Sequence, residues 1–209
     1  MNIDNRRGGL SRRLLLGLAA VATCGDLRRN VWAGEEPVGA VAEIDGEASA
    51  ERNTEGRKLA VGSSLFLGDT LATAAQSKLG ALLARKTTLR LGARTKVTID
   101  RFIINRGGVL TLASGAILLD TGAGKFPSGL SVESPFALIA VRGTRFFAGD
   151  LNGAFSVFVA HGSLAVTAGG QRVRLKAGEG TDISRPGEPP EPAKKWGQPK
   201  IAKAMALVR

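Results

Sequence analysis

Arg142 and Arg145 stand three apart in SPFALIAVRGTRFF (134–147), an apolar run of strand composition. With Gly143 and Thr144 between them, they are the residues whose types and spacing best suit a specific role. A guanidinium carries five N–H donors and keeps its charge at any physiological pH, so it can grip a carboxylate or a set of carbonyl oxygens. Side chains along a strand alternate between faces with period two. Read as one regular strand, residues 136–147 put Arg142 into one apolar face and Arg145 into the other. Burying an unpaired guanidinium costs several kcal/mol, so the regular strand is the poorer reading. One extra residue at Gly143, a β-bulge, reverses the phase of everything after it. Arg142 and Arg145 then share a face, with Ile139, Val141 and Phe146 on the opposite one. Glycine tolerates the positive φ of such a corner. Two roles stay open for this cluster: a structural corner, bonded to carbonyls and to a carboxylate such as Glu133 or Asp150, or a basic contact for a partner's carboxylates or an acidic polymer.

The remaining chemistry is thinner. The single histidine, His161 in VFVAHGSLAV, reads as a turn residue beside Gly162. A triad would have to use His161, and no Gly-x-Ser-x-Gly is present. Asp69, Asp100, Asp120, Asp150 and Asp182 mostly adjoin Gly, Asn or Thr, as turn residues do. The ligand clusters of a metal site are missing from the sequence. Gly107-Gly108, Gly122-x-Gly124 and Gly178-x-Gly180 lack the strand–loop–helix setting that cradles phosphate. The expectation is a protein that is not an enzyme and holds no cofactor or metal.

The elements that would position these residues are short strands. VGAVAEIDGEASA reads as two strands about Asp45-Gly46, a hairpin dipeptide. Gly68-Asp69 marks another turn, and Leu89, Leu91, Val97 and Ile99 alternate with polar residues. LTLASGAILLD, VFVAHGSLAVT and VRLKAGEGTDI share a pattern of apolar strand, glycine turn and apolar strand, which suggests a coiled β structure. QSKLGALLARK has leucines at helical spacing, but Gly80 and its neighbours favour a strand. The fold expected is all-β, a solenoid-like or twisted double-sheet domain over residues 34–185. After Ser184 five prolines mark a polyproline-type tail, and a short C-terminal helix carries Ile201, Ala204, Met205 and Val208 on one face. Either this end is frayed, or it is a strap that docks through Trp196 and the apolar stripe.

Composition supports that class. Hydrophobic residues make up 44% and aromatics only 5%, with no tyrosine, a core of Val, Leu, Ile, Ala and Gly that suits thin coiled sheets. The net charge is +11. Residues 1–33 hold six arginines against Asp4 and Asp26, or +4, which leaves +7 on the rest. These cations form no run of five and lack the interleaved aromatics that stack bases, so nucleic acid is not the expected partner.

GGLSRRLLLGLAAVATC has a basic start and then about ten apolar residues from Leu14, whereas a bilayer span needs roughly 20. It reads as the core of a signal peptide over residues 1–33, with cleavage after Ala33 in Val31-Trp32-Ala33. Arg12 and Arg13 in SRRLLLG resemble the pair of a twin-arginine export signal. General secretory and lipoprotein routes remain open, the latter through Cys24, the only cysteine. The expected location is the periplasm, with no transmembrane span in the mature chain.

SPFALIAVRGTRFFAG resembles the central motif of the FecR family: Ser134-Pro135, an apolar run ending in Val141-Arg142-Gly143-Thr144, then Phe146. LAVGSSLFLGDTLATA resembles the family's opening segment through Leu59, Gly62, Gly68-Asp69 and Thr73, and the strands after Val157 resemble its closing ones. The resemblance covers roughly residues 38–184. It implies an exported, all-β, non-catalytic module that meets a protein partner in envelope signalling or organisation. The best-known members also carry a cytoplasmic segment that controls a sigma factor. Only 13 residues precede the apolar run here, so the expectation is a stand-alone member without that segment. The alternative is a binding module for an anionic envelope polymer.

Overall fold

The computed structural model describes residues 36–84, 86–103, 107–122 and 129–209. Arg12, Arg13, Cys24 and Ala33, and with them the export signal, lie outside the described residues. In chain order the strands are β1 (Gly39–Asp45), β2 (Ala48–Arg52), β3 (Glu55–Lys58), β4 (Ser64–Leu65), β5 (Thr70–Thr73), β6 (Lys78–Leu83), β7 (Thr87–Leu91), β8 (Lys96–Ile103), β9 (Gly107–Ser114), β10 (Ala116–Asp120), β11 (Leu130–Glu133), β12 (Leu138–Leu151), β13 (Ala154–Ala168), β14 (Gln171–Lys176), β15 (Glu179–Ile183) and β16 (Lys194–Lys195), followed by helix α1 (Gln198–Ala206). The unit is all-β, as the sequence leads one to expect, with a single short helix at its C-terminal end among the described residues. No helix among them is long and apolar enough to cross a membrane.

The spine is the antiparallel pair β12–β13, 14 and 15 residues long, joined by a tight turn at Asn152-Gly153 where both residues have positive φ. Each long strand serves two wings. The first half of β12 pairs with β11, which continues through β9, β8, β5 and β2 to β3, while the second half of β13 pairs with β14. The second half of β12 pairs with β10, which continues through β7, β6 and β1 to β4, while the first half of β13 pairs with β15, which in turn pairs with β16. Up to β12 the chain repeatedly changes wing: β1 lies in the second, β2 and β3 in the first, β4 in the second, β5 in the first. The sheet therefore curls around one core. Leu71, Val97, Ile99 and Leu110 of the first wing join Leu65, Leu83, Leu89 and Ile117 of the second in a single buried cluster.

Each change of wing interrupts the ladder, and a buried backbone group left unpaired there is costly. Buried hydroxyls fill these gaps. The Thr73 Oγ1 donates to the Gly92 carbonyl (2.6 Å) and accepts from the Thr95 amide (2.9 Å). The Thr95 Oγ1 donates to the Ala116 carbonyl (3.2 Å) and accepts from its amide (3.0 Å). Thr121 does the same with the backbone of Thr144, donating at 3.2 Å and accepting at 2.9 Å. Three of these corners are thus stitched by threonines, and at the corner after β1 the Ser77 hydroxyl accepts from the Glu47 amide at 2.9 Å.

Some local expectations change. Asp45-Gly46 does not close a hairpin: β1 pairs with β4 and β6, and β2 with β3 and β5. The dipeptide is a corner between wings, with Gly46 at φ 81°. A residue pair suited to a tight turn says nothing of where the next strand finds its partner. The leucines of QSKLGALLARK lie on strand β6.

Candidate partner-binding face

The bulge at Gly143 is present. Arg142 pairs with Ser163, Arg145 with His161 and Phe146 with Val159. One extra residue on β12 is followed at once by one extra residue on β13, so the register is the same before and after. Gly143 has φ 65° and Gly162, across from it, φ 85°. A Cβ on Gly162 would lie 2.4 Å from the Gly143 carbonyl oxygen, so the two strands can approach only with glycine there. The phase reverses as the arginines require. Ile139 and Val141 face the core before the bulge, Thr144, Phe146 and Ala148 after it, and Arg142 and Arg145 both face outward.

The four residues divide into two kinds. Thr144 is buried, and its Oγ1 donates to the Ser163 carbonyl at 2.7 Å while its amide reaches Thr121. Thr144 and Gly143 belong to the corner itself. Arg145 is half exposed beside Asp120, its register partner on β10, with 4.0 Å between Nε and Oδ2. Such an exposed pair contributes little to stability. The carboxylate beside it is Asp120, rather than Glu133 or Asp150. Arg142 is exposed and has no ion-pair partner among the described residues. His161 is exposed on β13 at the bulge, not in a turn. A bulge asks for the same positive φ as a turn, and here Gly162 supplies it.

Arg142 leads into a row of cations. Through Ser163 it neighbours Lys176 on β14, and Arg174 and Arg172 follow at alternate positions of that strand. All four are exposed, while Val173 and Leu175 between them face the core. At about 3.4 Å per residue, the β14 cations recur about every 7 Å. The alternation in RVRLK was visible in the sequence; that these residues lie beside Arg142 was not.

Two further ionic clusters are structural. Asp69 is fully buried under the guanidinium of Arg57, which binds both carboxylate oxygens, Nη1 to Oδ1 at 3.0 Å and Nη2 to Oδ2. The Phe66 amide adds a bond at 2.8 Å. The Arg52 Nε lies 3.8 Å from Oδ1, and both guanidiniums lie over the Phe66 ring. A carboxylate so occupied is a latch, tying the β2–β3 hairpin to the turn before β5. Asp182 is the centre of the other cluster. It binds Lys200 at 2.7 and 2.6 Å and the Ser156 hydroxyl at 2.6 Å. Burial pushes its carboxyl up, but the Lys200 ammonium, the Ser156 hydroxyl and the Lys194 ammonium together outweigh this and hold it below its usual range.

Lys200 belongs to the C-terminal strap, which docks on the outer face of the second wing. Trp196 stacks on Phe158 at 5.0 Å, and Ala204, Met205 and Val208 cover Leu118, Phe147 and Leu151. A Cβ on Gly180 would lie 2.4 Å from the indole, so that glycine makes room for the ring. The strap covers the outer face of the second wing; the cationic row lies on the outer face of the first.

No three of His, Cys, Asp and Glu gather among the described residues. Two open grooves there, of about 570 and 500 Å³, include Glu47 and Glu133 respectively as their carboxylates, and neither is lined by His161.

A curled all-β sheet with a Val-Arg-Gly-Thr corner, Arg142 and Arg145 outward, defines the class of fold. The family model for FecR protein matches residues 69–165, from the latched Asp69 to Ala165 on β13. Those residues are thus similar to a FecR domain. Two crystal structures from Parabacteroides distasonis ATCC 8503, each described as a "putative anti-sigma factor", share the fold. One is 17% identical with a TM-score of 0.52, the other 15% identical with a TM-score of 0.54. Each comparison covers 64% of this chain and 62% of the other. No curated protein matches the chain.

Proposed function

We propose that this protein is a non-catalytic module of the cell envelope that acts in signalling through contact with a protein partner. The FecR match over residues 69–165 supports a regulatory role. The description of the two solved structures points the same way, although this chain spans only about 62% of their length. The observation that carries the reading is the division of labour at the corner. Thr144, which holds the fold, is turned inward and hydrogen-bonded, while Arg142 and Arg145 are turned to solvent. In this reading residues 1–33 are an export signal of the twin-arginine type, cleaved after Ala33, and the β unit works in the periplasm without a membrane span.

The test has two arms. Cell fractionation should recover a chain beginning at Gly34 in the periplasm, accessible to protease once the outer barrier is opened. Deleting the gene should change the transcripts of a small, discrete set of genes, restored by the intact chain. A cytoplasmic, uncleaved protein, or a transcript profile unchanged by deletion, would contradict the reading.

The row formed by Arg142, Lys176, Arg174 and Arg172 favours a second reading, a module that binds an anionic envelope polymer. Binding of that kind falls steeply with rising salt. Retention on peptidoglycan or an anionic glycan at low salt and release by roughly 0.15 M, where screening extends to about 8 Å, would favour it over the first.

A further inference from the structure

We infer that the free edge of β14 is a docking site for an extended acidic segment of a partner protein, which adds to the first wing as one more strand. The inference rests on the protein-contact reading and names the surface that would make the contact. Strand β14 pairs with β13 alone, so its other edge is open. The Lys176 amide donates to the Glu179 carboxylate at 2.9 Å rather than to β13. Backbone groups alternate between the two edges of a strand, so Arg174 and Arg172, of the same parity as Lys176, also turn theirs outward. The same residues project their cations from the outer face of the wing, beside Arg142.

An arriving strand would meet two patterns at once. Its backbone would complete the ladder, and its side chains would alternate in step with those of β14. On the outer face they would lie opposite Arg172, Arg174 and Lys176, at the short distances of cross-strand pairs, where unlike charges attract and like charges repel. On the inner face they would lie beside Val173 and Leu175. The segment that fits alternates Asp or Glu with apolar residues. A second copy of β14 does not fit, because it would set cation against cation.

Cations on an edge strand also discourage unwanted pairing. The other edges need no such help: β4 and β16 are two residues long and β3 is four. Strand β14 runs for six residues with neither bulge nor proline, the kind of edge that can accept a strand.

The test uses the whole chain and labelled eight-residue peptides, with binding read by fluorescence anisotropy. An alternating Glu/Val peptide should bind. Its block isomer, four Glu followed by four Val, and an alternating Lys/Val peptide should not. Arg172→Glu with Arg174→Glu should weaken the Glu/Val peptide at least about tenfold and gain the Lys/Val peptide, since the charges face each other one to one. Arg174→Pro, which removes an outward amide, should also abolish binding; if that variant fails to fold, the charge exchange decides. Three results would overturn the inference: no peptide binding at all, which leaves the cations as edge protection; the block isomer or heparin binding as well as the alternating peptide, which makes the row a polyanion surface; or no effect of the charge reversal. A protein partner found in cells on another face, with no peptide bound here, would remove this surface and leave the contact reading standing.

Discussion

Thr144 and Arg142 are two residues apart, and the corner uses them in opposite ways. The threonine hydroxyl is buried and donates to the Ser163 carbonyl; the arginine is exposed. Replacing Thr144 by Val keeps the shape but leaves the part-buried Ser163 carbonyl without its donor, at a cost of about 1 kcal/mol. Arg142→Ala, a surface change, should stay within about 0.5 kcal/mol. Gly162→Ala should cost more than about 1 kcal/mol, because φ 85° and the Gly143 carbonyl both oppose a Cβ. Urea denaturation of the three variants checks the ranking, and equal losses for Thr144→Val and Arg142→Ala would show that the arginine is structural too. The bulge was legible in the sequence because two arginines at an odd spacing cannot both leave an apolar strand without a phase change. The misreading of His161 has the same root. His-Gly suits a turn and a bulge alike, and only the register with β12 separates them. Asp69 looked like a turn aspartate, and its partners Arg52 and Arg57 come from a hairpin 12 or more residues away that no local pattern points to.

The strap belongs to the scale of elements. Trp196→Ala should destabilise the docked strap by about 3 kcal/mol through lost burial and a cavity. Trp196→Phe should cost much less, since the buried indole N–H has no acceptor among the described residues. Acid should act on the same element. Asp182 has its pKa lowered in the folded chain, so its contribution is complete above the unfolded value of about 4 and is lost as pH falls through the lowered one. With Trp32 replaced by Phe, the emission of Trp196 should shift to the red on acidification below that range, and Lys200→Met should flatten the change by removing the main stabilising partner. A red shift that begins at neutral pH would contradict this assignment. The apolar face of α1 and the proline run could be read directly. What the strap docks on could not, because Phe147 and Phe158 acquire a shared outer face only once β12 and β13 pair.

At the scale of the whole molecule, the sequence carried the class and not the wiring. Glycine-punctuated alternation identified a coiled all-β domain, and the Val-Arg-Gly-Thr motif identified the similarity to a FecR domain. Two things escaped it: that the chain changes wing at most of its corners, and that two long strands bind the wings together. Pairings such as β11 with β9, parallel, depend on contacts far apart in the chain. The cationic row has the same origin, since Arg142 and Lys176 meet only through the strand between them. An outer face built in this way should work by contact. A photo-crosslinking residue placed at Arg174, in the cell that makes the protein, tests that claim most directly, with Ala202 on the strap as the comparison. The account predicts a discrete protein adduct from position 174 that disappears with Arg172→Glu and is not seen from position 202. Adducts of equal yield at both positions, or none at 174 while the chain is folded and exported, would contradict it.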